Sequence, residues 1–321
     1  MDGREMNAGT SGIHHVTAIS GGPQRNLDFY AGVLGTRLVK KTVNFDDPGT
    51  YHLYYGDGAA APGTIMTFFP WEGAPRGRVG SGQVVTTAYS IPATSLGFWT
   101  EHLIGNSVRF EKPRDRFGET VLAFEDPDGL RLEIVATDDG RDGYDGGTAP
   151  AEHSIRGFHH AALAARDAEL TIGLMTDHLG FRRVDEAQNR VRLAAGEGGP
   201  GNLVDVMDAT GFPGGGTGVG TVHHIAFRVP DEETHLAVRE EIVGLGYDVT
   251  PVLDRNYFRS IYFREPGGVL FEIATDLPGF AADEDAEHLG EELKLPPWLE
   301  ARRGEIEKVL TPLRVPGKED A

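Results

Sequence analysis

Three histidine pairs punctuate the sequence, His14-His15, His159-His160 and His223-His224, each opening a short apolar stretch: GIHHVTAIS, GFHHAALAA and TVHHIAFRV. Acidic residues stand in other largely apolar stretches, Glu133 in GLRLEIVAT, Asp205 in NLVDVMDAT and, alone among apolar residues, Glu272 in GVLFEIAT. A carboxylate on a mostly apolar strand is costly to bury unless a cation or hydrogen bonds satisfy it. Imidazole and carboxylate are also metal ligands. The chain has no cysteine, so any metal must be held by His, Asp or Glu. Two imidazoles and one carboxylate form the facial set with which non-haem Fe(II) oxygenases hold their metal while leaving positions open.

The elements that would present these groups follow from periodicity. Alternation along an extended strand puts His224 on one side with Val222 and Ala226, and His223 on the other with Ile225. Leu270, Glu272 and Ala274 likewise share one face, while Phe271 and Ile273 take the other. Between them, DEETHLAVREEIVGLG carries apolar residues at Leu236, Val238, Ile242, Val243 and Leu245 and predicts an amphipathic helix. The unit reads strand, helix, then several strands.

That unit recurs four times. The first copy runs from GIHHVTAIS to about residue 71, and the second from GQVVTTAYS through DPDGLRLEIVAT. The third runs from GFHHAALAA to NLVDVMDAT, and the fourth from Thr221 to Thr275. The fold expected is α+β: four βαβββ modules forming two pseudo-symmetric domains of curled mixed sheets, with a C-terminal helix from about Pro297 to Leu310. The Asp- and Gly-rich residues 138–153 read as a linker between a two-module half over 12–137 and another over 154–276, leaving 277–321 as a tail. GFPGGGTGVG lacks the context of a phosphate loop and reads as flexible linker.

Each module offers two inward corner positions: His15 and Thr67, Thr86 and Glu133, His160 and Asp205, His224 and Glu272. Pairing module one with four gathers His15, His224 and Glu272, with Thr67 at an open corner. Pairing two with three leaves His160, Glu133, Asp205 and Thr86. Pairing three with four would gather His160, His224, Glu272 and Asp205. Spacing alone does not choose among these cups. His52 lies in a module-one strand and could line the cup, with cross-strand packing as the bland reading; a solvated face covers His102, His178, His235 and His288, and capping and packing cover Asp28 and Tyr30.

A formal net charge of −19 argues against a nucleic-acid or anionic membrane partner. No apolar run is long enough to span a bilayer, and residues 1–12 lack a secretory signal's apolar segment, so the cytoplasm is the expected location.

The fourfold pattern resembles the vicinal oxygen chelate superfamily of glyoxalases, antibiotic-resistance proteins and extradiol dioxygenases. More narrowly, GIHHVTAISGGPQRNLDFY, KKTVNFDDPGTYHLYYGD and LPPWLEARR are similar to the hydroquinone-type ring-cleaving dioxygenases. The resemblance implies metal ligands at His15, His224 and Glu272, which supports the pairing of modules one and four. It implies supporting roles for His14, Thr17, His223, Arg255 and Tyr262. By strand alternation, His223 reaches such a site only through a local twist or bulge. The reaction implied uses Fe(II), with Mn(II) fitting the same ligands, and takes a small aromatic diol and O2. A homodimer is compatible with modules that pair between chains. The alternatives are a glyoxalase-type isomerase or thiol transferase, which want a fuller ligand set, or a small-molecule sequestering protein.

Overall fold

The computed structural model describes residues 9–316; residues 1–8 and 317–321 lie outside the described residues. Module one comprises β1 (Ile13–Ser20), α1 (Pro23–Leu27, continued by a π-helical turn Asp28–Val33), β2 (Arg37–Asn44), β3 (Asp47–Gly56) and β4 (Ile65–Pro70). Module two has β5 (Gln83–Pro92), α2 (Leu96–Gly105), β6 (Arg114–Arg116), β7 (Glu119–Glu125) and β8 (Arg131–Thr137). Module three has β9 (Gly157–Ala165), α3 (Ala168–His178), β10 (Phe181–Ala187), β11 (Arg190–Ala195) and β12 (Leu203–Asp208). Module four has β13 (Thr221–Val229), α4 (Glu232–Gly244), β14 (Leu253–Asp254), β15 (Phe258–Arg264) and β16 (Leu270–Pro278).

Two eight-stranded mixed sheets result, ordered β14-β15-β16-β13-β1-β4-β3-β2 and β10-β11-β12-β9-β5-β8-β7-β6. The sheets are not the two sequence halves. Modules one and four share the first sheet through antiparallel β1 and β13; modules two and three share the second through antiparallel β5 and β9. The set of His160, His224, Glu272 and Asp205 is therefore not assembled.

The period of two decides what each face carries. On β1, β4, β13 and β16, Val16, Met66, Phe68, Ile225, Phe227, Phe271 and Ile273 enter the main core. The opposite face carries His15, Thr67, His224 and Glu272, among Ile65, Ala226 and Ala274 of a smaller apolar cluster. Such alternation lets one strand serve a core and a cup at once.

Three expectations need correction. On α4, capped by the Asp231 carboxylate on the Thr234 N–H, the buried residues are His235, Val238 and Ile242, while Leu236, Val243 and Leu245 stay largely exposed. His235 is not on a solvated face: its Nε2 lies 3.0 Å from the Ile273 carbonyl on the buried side. The glycine run is no flexible linker either. It lies along residues 76–81 through bridges Arg76–Val219, Arg78–Gly216 and Ser81–Gly214. A Cβ at Gly80 would sit 2.5 Å from the Pro213 carbonyl oxygen, so the two backbones approach too closely for a side chain.

The tail packs across module one. Lys40, fully buried, is neutralised by Asp283 and Glu284, and the Tyr257 hydroxyl donates to Asp283 at 3.0 Å. The terminal helix is shorter than expected: a 3-10 turn at Glu300–Arg302 leads into α5 (Arg303–Val309), the two prolines before it lying in coil and turn. No helix among the described residues is long and apolar enough to cross a membrane.

Candidate metal centre

Strand register places the four corners of each cup by one repeated rule. The residue two beyond the first corner pairs with the second corner in parallel: Thr17 with Thr67, Ala88 with Glu133, Ala162 with Asp205, Ala226 with Glu272. Across the antiparallel joint, His15 pairs with Ala226 and Thr17 with His224, so both histidines rise from adjacent strands into one cup. The second sheet repeats this with Ala88 opposite His160 and Thr86 opposite Ala162.

In the first cup His15 Nε2 and His224 Nε2 lie 3.3 Å apart, and 3.2 and 2.9 Å from Glu272 Oε2. These three residues are buried, and theirs is the single cluster of metal-ligand type among the described residues, its atoms all within 4.8 Å of one another. A larger surface groove of about 640 Å3 runs beside Arg25, Arg109 and Glu111 but holds no such cluster. Converging ligand atoms identify the site better than volume does.

Strict alternation would turn the first histidine of each pair away, and the structure overrides it with bulges. The β1–β13 ladder slips between Ile13 and His15, around His14, and again opposite Thr17–Ala18, around His223. A bulge adds one residue and re-aims its side chain. Each re-aimed imidazole then meets its neighbour, His14 Nδ1 at 2.8 Å from His15 Nδ1, and His223 Nδ1 at 2.8 Å from His224 Nδ1.

These contacts set tautomers. Of two rings in Nδ1–Nδ1 contact one must donate, and a neutral His14 can accept the His15 Nδ1–H. Burial, followed by the neighbouring His15, keeps the His14 pKa well below its ordinary value, so the ring is neutral. Its Nδ1 is then an acceptor and His15 Nδ1 the donor, which leaves a lone pair on His15 Nε2 pointing into the cup. The His223–His224 contact has the same geometry; burial and then His224 push the His223 pKa down to about 3.

Neither Glu272 oxygen makes a well-formed hydrogen bond despite complete burial. Burial alone would raise its pKa, but His15 and His224 hold it well below the ordinary carboxylate range. Without a metal the two imidazoles stabilise this carboxylate by charge and hydrogen bonding; as metal ligands they would instead turn lone pairs toward the same point as the carboxylate, a set that only a cation reconciles. The donor set therefore fits a divalent metal.

The remaining expected residues surround this point. Thr17 Oγ1 lies 3.0 Å from Thr67 Oγ1, filling the fourth corner with hydroxyls. The Tyr262 ring stands edge-on to His224 at 5.5 Å, and the Arg255 guanidinium lies 5.4 Å from the Tyr262 ring centroid while pairing with Asp46 at 3.2 Å. Burial, then Glu272, raises the Tyr262 pKa, so the phenol keeps its proton at neutral pH. All of these except the buried His14 and Thr17 border a cavity of about 390 Å3 with apolar walls at Phe45, Phe69, Trp71 and Phe258. That volume suits a small molecule. His52 and Tyr54 also border it; for His52 this is the reading that its strand position allowed, against cross-strand packing.

The second cup keeps the histidine pair but brings arginines to its carboxylates. His159 Nε2 lies 2.9 Å from Glu119 and its Nδ1 2.9 Å from His160 Nδ1, while the buried His160 Nε2 faces Asp205 at 3.4 Å and Glu133 at 3.7 Å without a well-formed hydrogen bond. Arg114 and Arg116 bind Glu133, and Arg190 and Arg192 bind Asp205. Burial would raise the Glu133 pKa, but the Arg116 hydrogen bond and His160 hold it at about 2. Guanidinium groups here neutralise the corner carboxylates, whereas Glu272 of the first cup pairs with no guanidinium.

Comparison with known proteins agrees with this architecture. The family model described as the Glyoxalase/Bleomycin resistance protein/Dioxygenase superfamily matches residues 12–134 and 157–273. Over 307 residues, 95% of this chain and 97% of the relative, it is 49% identical to the Bacillus subtilis (strain 168) protein named "Putative ring-cleaving dioxygenase MhqO". It is 39% identical over 303 residues to the chlorohydroquinone/hydroquinone 1,2-dioxygenase of Sphingobium indicum, covering 92% of this chain and 94% of that one. A crystal structure from Bacillus subtilis subsp. subtilis str. 168, 48% identical, superposes with a TM-score of 0.92 over 96% of this chain and 98% of that one. The chain belongs to the Glyoxalase/Bleomycin resistance protein/Dioxygenase superfamily. Within it the chain stands with the ring-cleaving dioxygenases, and it is an enzyme of the oxidoreductase class.

Proposed function

We propose that this protein is a mononuclear Fe(II)-dependent dioxygenase that opens the ring of hydroquinone-type aromatic diols with O2. The observation that carries this reading is the convergence of His15 Nε2, His224 Nε2 and Glu272 Oε2 beside a fourth corner holding only threonine hydroxyls. Iron bound there would supply a Lewis acid and a redox centre with coordination positions left for substrate and O2. Mn(II) fits the same ligands.

The chain's own groups have separable tasks. His14 and His223 accept the Nδ1–H of the two ligand imidazoles and so hold their Nε2 lone pairs inward. His223, half-buried and bordering the cavity, has its Nδ1 engaged by His224 and so presents its Nε2–H to the cavity as a hydrogen-bond donor for an entering oxygen. Tyr262, protonated, and Arg255, fixed by Asp46, offer hydrogen-bond donors and positive charge to a bound phenolate. Thr17 ties β1 to the Thr67 corner. The apolar walls exclude water and flank the ring.

The test is anaerobic reconstitution with Fe(II), followed by oxygen uptake with hydroquinone and with catechol. Uptake matched by loss of aromatic absorbance is the expected result with hydroquinone. No uptake with either diol in metal-loaded protein overturns the proposal. Replacing His223 by alanine is expected to weaken metal binding by roughly 10–100-fold while leaving the fold intact, because the tautomer of His224 is no longer held. Competition against a chelator dye measures this; unchanged affinity would mean that His223 does not orient the ligand.

A further inference from the structure

The cavity has a second polar pole, and it lies on module one. Tyr54 on β3 pairs with Thr67 on β4, Thr67 with Thr17 on β1, and Thr17 with His224 on β13, so these four residues form one row across four adjacent strands. Strands lie about 4.8 Å apart, which puts Tyr54 at the far side of the cup from His224, with two threonine hydroxyls between. His52, two residues before Tyr54, shares its face. Its Nε2 is 2.6 Å from Thr67 Oγ1 and its Nδ1 is 2.8 Å from the Tyr54 hydroxyl.

The array Tyr54–His52–Thr67–Thr17 is continuous, and its protons can run in either direction. In both directions the Tyr54 oxygen retains one hydrogen-bonding position: an acceptor if its own proton goes to His52, a donor if His52 supplies the proton. Phe69, with its ring centroid 4.3 Å from that of His52, and the Tyr54 ring at 4.1 Å pin the imidazole between them. Packing alone requires neither an imidazole nor a phenol hydroxyl here; Phe and Leu would fill the same wall without burying polar atoms.

We propose that Tyr54, positioned by His52, binds the substrate hydroxyl that is remote from the metal, and so selects diols with opposed hydroxyls over those with adjacent ones. One hydroxyl lies at the His15–His224–Glu272 pole, the ring crosses the cavity whose walls include Phe69 and Phe258, and the other reaches Tyr54. An adjacent diol presents both oxygens at one pole and leaves Tyr54 unpaired. This inference rests on the dioxygenase reading for the placement of the first hydroxyl.

The experiment compares hydroquinone with phenol, which lacks the remote hydroxyl, by anaerobic titration of Fe(II)-loaded protein through the fluorescence of Trp71 at the cavity wall. Wild-type protein is expected to bind hydroquinone roughly tenfold more tightly than phenol, the scale of one buried hydrogen bond. Tyr54→Phe should bring that ratio close to one, with phenol affinity and metal content unchanged. His52→Asn, which removes the positioning imidazole, carries the same expectation should Tyr54→Phe not fold. A wild-type ratio near one, or a ratio that survives both substitutions, overturns the inference. Failure of the dioxygenase reading shows separately, as absent oxygen uptake in protein whose binding ratio is still measurable.

Discussion

Protein carrying His15→Ala is expected to fold and to lose its metal, with a drop in affinity well beyond the roughly 10–100-fold that removal of an outer hydrogen-bond partner costs. Ring cleavage should fall to background with it. His160→Ala, the same substitution at the equivalent corner of the other cup, is expected to leave one metal per chain. The contrast follows from charge. His15 and His224 face a carboxylate that no cationic side chain neutralises, whereas His160 faces Glu133 and Asp205, which already hold four arginines between them. Metal analysis of the purified variants decides the matter, and equal loss in both would show that the cups act together.

The second large effect belongs to the arginine-filled cup. Arg192→Ala removes two hydrogen bonds to Asp205 and one to Glu119, and its side chain is only 6% exposed. Breaking a buried ion pair leaves an uncompensated charge, a loss of about 3–5 kcal/mol. Guanidinium chloride unfolding should report this as a lowered midpoint, and the double variant Arg192→Ala, Asp205→Ala should lie closer to wild type than Arg192→Ala alone, since no stranded carboxylate remains at that corner. A midpoint shift below about 1 kcal/mol for the single variant would mean that water or a neighbouring arginine compensates, and that this cup is not held together by its ion pairs.

Much of the site was legible before any coordinates. Alternation along TVHHIAFRV and GVLFEIAT assigns His224 and Glu272 to one face and Ile225 and Ile273 to the other, and the structure keeps these assignments; the bulge at His223 turns Val222, which strict alternation sets beside His224, into the core. The fourfold repeat is equally plain, because each module must bury one face and expose polar turns at regular intervals. These are local properties. They depend on which side chains share a face within one strand, and a period of two is enough to state them.

What lay beyond local pattern was every relation between strands distant in sequence. Three module pairings were consistent with the corner residues, and only the ladder joining β1 to β13, some two hundred residues apart, brings His15 to His224. The bulges at His14 and His223 are another case: a one-residue slip inverts the facing of a side chain, and it arises from the fit of two strands, which neither strand encodes alone. Arg114, Arg116, Arg190 and Arg192 read as ordinary strand residues until the second sheet closes their side chains onto Glu133 and Asp205. The corner motif therefore specifies where ligands can stand. Tertiary structure decides whether guanidinium groups meet them or leave them free for a cation, because that depends on charges contributed by strands the motif does not contain.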